Sequence, residues 1–93
     1  MQIGLVKLKL HAPWVHSLKE KRMIVKSLCA KLRNQLNVSV IEADCQEIHQ
    51  TIVIAVAFVS GNTALSDSMM EHIIAFTEEN CEAQIVGVET ELR

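Results

Sequence analysis

The chain has 93 residues, 49% hydrophobic and 22% charged, which is room for one domain, residues 1–93. That composition excludes intrinsic disorder, and the longest apolar run, Ile52 to Val59, falls far short of the ~20 residues of a bilayer span, so no membrane association is expected. The net charge of −2 hides an asymmetry: residues 1–46 carry eight Lys and Arg against three carboxylates, and residues 47–93 carry Arg93 against eight carboxylates, a pattern that fits either an anionic partner for the basic half or attraction between the halves of two copies.

In chain order, Gln2 to Leu10 alternates, with Val6, Leu8 and Leu10 on one face and Lys7 and Lys9 on the other, as a half-buried strand does. Pro13 ends it, because proline has no amide to give to a sheet. Ser17-Leu18-Lys19-Glu20 reads as a capping box: Ser17 accepts from the amide three residues on, and Glu20 reaches back to the cap amide. The helix that follows places Leu18, Val25, Leu28, Leu32 and Leu36 at helical spacing, and Asn37 is its expected stop.

Val38 to Asp44 is a second strand, and the polar cluster Asp44-Cys45-Gln46-Glu47 a hairpin connection. Ile48 to Val59 is a third strand, apolar on both faces and therefore central in its sheet. Ser60-Gly61-Asn62-Thr63 forms a turn and cap. A second helix, with Leu65, Met69, Ile73 and Phe76 in one stripe, runs to about Asn80, and a last strand covers about Ala83 to Leu92. This order predicts the α+β ferredoxin-like fold, βαββαβ, with a four-stranded antiparallel sheet and two helices on one face. The doubly apolar third strand leaves an apolar patch on the other face, so a homo-oligomer, a dimer or higher, is expected.

The segment His16-Ser17-Leu18-Lys19-Glu20-Lys21-Arg22 is the candidate site. It sets three cations in the first turns of a helix, where the macrodipole disfavours them by ~0.3–1 kcal/mol each. Helix N-termini also offer free amides to anions. At 100° per residue Lys19, Arg22, Lys26 and Arg33 form one stripe beside the leucine face. Lys21 points nearer the apolar side, where it would snorkel. The ordinary explanation is a solvated helix face; the sharper one is a phosphate-binding surface of His16, Lys19, Lys21, Arg22, Lys26 and Arg33. With only Trp14, Phe58 and Phe76 as aromatics, base stacking on a sheet is not expected, whereas contact with a charged backbone is.

Other chemistry finds little support. Cys45 and His49 make one C-x3-H pair, and structural zinc needs two close pairs; no metal or cofactor is expected. There is no phosphate loop, dinucleotide fingerprint or hydrolase motif, so no enzyme is expected. The loop Ala12-Pro13-Trp14-Val15 lacks the Arg and the glycines of an acylphosphatase-type phosphate cradle. Three cysteines, an odd number without a CxxC spacing, and the lack of a basic segment before an apolar run at Met1 to Gly4 lead us to expect a reduced, cytoplasmic protein without a signal peptide.

His16 to Arg22, then Val25-Lys26-Ser27-Leu28, Leu32-Arg33-Asn34 and Asn37-Val38-Ser39-Val40 resemble the YlxP family of small bacterial proteins, over essentially the whole chain. The resemblance implies a ferredoxin-like fold, a cytoplasmic bacterial protein and no established activity. It also implies a gene often placed near transcription and translation factors, including a ribosome-binding factor and an initiation factor. The chain departs from the family pattern at Glu47, His49, Gln50 and Thr51, where an aromatic and a cation are expected. Structured RNA or a ribosomal particle is thus the expected partner of the basic helix. An interaction or oligomerisation module is the alternative, and an enzyme for a small phosphorylated ligand, built around His16, a more distant one.

Overall fold

The computed structural model describes residues 1–45 and 47–93; Gln46, in the middle of the predicted hairpin connection, lies outside the described residues. Six elements follow one another: β1 (Gln2–His11), α1 (Leu18–Gln35), β2 (Ser39–Asp44), β3 (Thr51–Ser60), α2 (Thr63–Asn80) and β4 (Gln84–Leu92). The strands form one antiparallel sheet in the order β2-β3-β1-β4. This is the expected ferredoxin-like α+β arrangement, with its two longest strands in the centre.

The period of two in β1 divides the sheet into two unlike faces. Val6, Leu8 and Leu10 lie in register with Val56, Ile54 and Ile52 of β3, and all six are fully buried beneath the helices. Val25, Leu28 and Leu32 of α1 and Met70 and Ile73 of α2 meet this face. Each such side chain contributes about 1.5–3 kcal/mol by leaving water. Among the described residues no helix is long and apolar enough to cross a membrane.

Helix α1 begins as the capping motif requires: the Glu20 amide donates to Ser17 Oγ at 3.1 Å. The Glu20 carboxylate reaches one residue further back than expected and accepts from the His16 amide at 2.8 Å. The helix stops at Gln35, before Asn37, because Leu36 turns to an extended conformation while its amide still donates to the Leu32 carbonyl. Strand β3 starts at Thr51, three residues later than expected, since Ile48 donates back to the Cys45 carbonyl in a turn.

In α2 the buried stripe is Ser66, Met70, Ile73 and Thr77, with Met69 and Phe76 only partly buried and Leu65 56% exposed. Leu65 gives way to Ser66 because polar partners wait for the serine: Ser66 Oγ donates to Gln2 Oε1 at 2.8 Å and shares a short contact with Ser60 Oγ. Gln2 also donates to Thr63. These bonds satisfy a buried hydroxyl that would otherwise cost about 1–3 kcal/mol.

Gly4 stands opposite Phe58, and a Cβ built on it would lie 2.1 Å from the Phe58 ring, which is itself buried. Gly4→Ala is therefore expected to destabilise the protein by about 1–3 kcal/mol through overpacking. Denaturant unfolding should show this loss, and Phe58→Leu in the same chain should restore part of it.

Candidate anion-binding face

Six cations of α1 face a single carboxylate, Glu20, on the same helix, while α2 has four carboxylates and no Lys or Arg. The sheet order seats α1 beside β2 and α2 over β1, β3 and β4. The acidic strand β4 lies at the same margin as α2. The two helices thus set their opposite charges apart, the cations of α1 at the β2 side of the sheet and the carboxylates of α2 over β1, β3 and β4, while the strands of the two halves alternate in the sheet.

The cations of α1 divide by direction. Lys19, Arg22 and Lys26 are exposed, and among the described residues no hydrogen bond or ion pair holds them. Spaced i, i+3 and i+7, they span about 10 Å of helix axis on one stripe. Arg33 continues the stripe and is steadied by donating to the Val40 carbonyl at 2.9 Å. His16 is exposed just before the cap. Lys31 points elsewhere, toward the Asn80 carbonyl at 3.4 Å.

Lys21 corrects the expectation. It neither snorkels nor joins the exposed stripe; it is 1% exposed. Its ammonium donates to the Cys45 carbonyl and, at 2.7 Å, to the Ile48 carbonyl. Glu42 Oε2 lies 2.9 Å away. Three oxygens thus surround a group with three N–H donors. The lysine's angle on the helix was visible in the sequence. The carboxylate and turn carbonyls that draw it inward belong to β2 and the following turn, and only the fold brings them close.

The same clamp accounts for Cys45, whose φ of 56° is the one positive value among the described non-glycine residues. A side chain in the left-handed region costs about 1–2 kcal/mol, and here the Cys45 carbonyl is held from two directions, by Lys21 and by the Ile48 amide.

Sequence reasoning also missed a groove of about 910 Å³ between α1 and the end of α2, with Trp14, Met23 and Leu28 among its lining and Glu78, Glu79 and Glu82 on its acidic side. Trp14 lies before the helix, where periodicity gives no face, whereas Met23 stands opposite the leucine face of α1. Among the described residues no three His, Cys, Asp or Glu side chains gather as metal ligands.

Lys21→Met should cost about 1–3 kcal/mol, because it removes the ammonium from the Ile48 carbonyl and from the Glu42 carboxylate. Chemical denaturation measures this directly. The thiols offer a second check. Burial pushes the Cys29 thiol up, against a lowering by Arg33 and with a further rise from Glu42. A thiol reagent at neutral pH should therefore modify the part-exposed Cys45 and Cys81 promptly and Cys29 only on unfolding.

Comparison with known proteins places the chain. The family model described as "Protein of unknown function (DUF503)" matches residues 3–90. A similar protein is "Uncharacterized protein YlxP" of Bacillus subtilis (strain 168), 29% identical over 75 residues, which cover 81% of this chain and 82% of the relative. With almost its full length matched and the ferredoxin-like sheet in place, the chain belongs to the DUF503 family, whose function is unknown.

Proposed function

We propose that this chain is a non-enzymatic binding protein whose helix α1 docks against the phosphate backbone of structured RNA, as in a ribosomal particle. The supporting observation is the stripe of Lys19, Arg22 and Lys26, exposed and unpartnered among the described residues on the side of the molecule away from the α2 and β4 carboxylates. Lys19 and Arg22, near the start of the helix, are held against the macrodipole. A polyanion relieves that cost and releases its own counterions in binding them.

Backbone recognition fits better than base reading. Phe58 is buried in the core, Phe76 is partly buried in α2, and Trp14 sits at the α1–α2 groove. Among the described residues no aromatic platform adjoins the stripe, so sequence-tolerant stacking, worth about 1–3 kcal/mol per base, is not available there. Affinity then rests on charge and on RNA shape. The partly apolar, acid-edged groove supports a second reading, an interaction module for a basic protein surface.

Replacing Lys19, Arg22 and Lys26 together by Gln tests the proposal. All three side chains are exposed, so the melting temperature should hold or rise slightly. Affinity for folded RNA or ribosomal particles should fall. The plot of log K against log salt should flatten by about 2–3, from about 0.7–0.9 per lost phosphate contact. Unchanged RNA affinity in the triple variant, or no RNA affinity in the parent at low salt, overturns the reading. Loss of binding to a basic protein in a Glu78→Lys, Glu79→Lys variant, with RNA affinity intact, favours the second.

A further inference from the structure

The sheet face turned away from the helices has a layout that the register makes explicit. In successive rows from β4 to β2 stand Glu91, Leu5, Ala57 and Ser39; then Glu89, Lys7, Ala55 and Ile41; then Gly87, Lys9, Val53 and Asp44. Ile3 and Val59 pair at one end. An apolar band therefore crosses the face. Ile3, Ile41 and Val59 are 46%, 61% and 67% exposed, with the small Ala55 and Ala57 between them. Beside the band lies a charged strip: Lys7 and Lys9 on the central β1, with Glu89 and Glu91 along the β4 side and Asp44 at the β2 side.

We infer that a second copy of this chain covers this face, packing sheet against sheet. Three observations favour that occupant. The face bears both signs of charge side by side, and an isologous contact lets the lysines of each copy meet the acids of the other. Within one chain Lys7 and Lys9 form no ion pair among the described residues, although Glu89 stands directly across from Lys7. Alanines in the middle of β3 let another sheet approach to the usual ~10 Å.

The size is adequate. Four strands about 4.8 Å apart, about 20 Å long in β2 and about 30 Å in the other three, offer roughly 500 Å² per copy, or about 1,000 Å² in all, which reaches the lower bound of a specific interface. Nucleic acid is a poor occupant, since Asp44, Glu89 and Glu91 would face its phosphates and no aromatic among the described residues lies on this face. In the sheet-to-sheet pair the helices are outermost. The dimer is independent of the RNA reading, and is measured without nucleic acid.

Analytical ultracentrifugation of the full chain at micromolar concentration should give about twice the 10.4 kDa of one copy. Ile41→Glu should lower that mass to one copy with an unchanged far-ultraviolet circular dichroism spectrum, because Ile41 is exposed in the single chain. Lys7→Glu and Glu89→Lys, each weakening self-association by about tenfold or more, should form a mixed dimer when combined. A parent that stays monomeric, an Ile41→Glu variant that stays dimeric, or a mixture that associates no better than either variant alone overturns the inference. So does a parent that dimerises only when RNA is added.

Discussion

A buried ammonium organises the half of the molecule that carries its charge. Withdrawing an ion from water costs several kcal/mol even after relaxation. Lys21 meets that cost with Glu42 and with the carbonyls of Cys45 and Ile48. The arrangement joins three parts that sequence separates: the second turn of α1, the edge strand β2, and the turn after it. It also holds Cys45 in a backbone conformation that a non-glycine residue otherwise avoids. Replacing Lys21 by an apolar residue would remove the attraction and leave the oxygens, so the clamp is far more costly to break than its net stabilisation suggests.

With Lys21 turned inward, α1 has three functions on three sides of one cylinder. Val25, Leu28 and Leu32 fill the core. Lys31 faces α2. Lys19, Arg22 and Lys26 face water. An outward stripe of cations beside a buried one requires a helix fixed in rotation, since a turn of 100° would expose the leucines. The clamp and the leucine face together supply that fixity. The Ser17 cap, worth about 1 kcal/mol, and the Glu20 carboxylate at the first turn stabilise the end where the cations crowd.

Much of this was readable in the chain. The alternation in β1 and β3, the Ser17 cap and the leucine stripe of α1 follow from local sequence, and with the helical character of α2 they suffice for the βαββαβ order, although the buried stripe of α2 lies one residue on from the expected one at three of its four positions. The outward stripe of α1 also follows from 100° steps. The unread features depend on partners distant in sequence. Lys21 goes inward because Glu42 lies on β2. Ser66 displaces Leu65 from the core because Gln2 and Ser60 supply bonds that only the packed sheet brings near. Ile48 looks like strand by composition, yet the turn that closes on Cys45 takes it. Burial of a polar group is a tertiary property, and hydrophobic pattern cannot anticipate it.

On the proposed reading α1 divides its cations, Lys21 serving the fold and Lys19, Arg22 and Lys26 a polyanion. Lysine acetylation mapped by mass spectrometry, with and without a folded RNA, tests both parts in one measurement. Lys21 should stay unmodified in either condition. Lys19 and Lys26 should react readily in the free protein and become protected when RNA is present. Modification of Lys21 at the rate of the exposed lysines, or protection by RNA of Lys7 and Lys9 in place of Lys19 and Lys26, would contradict it.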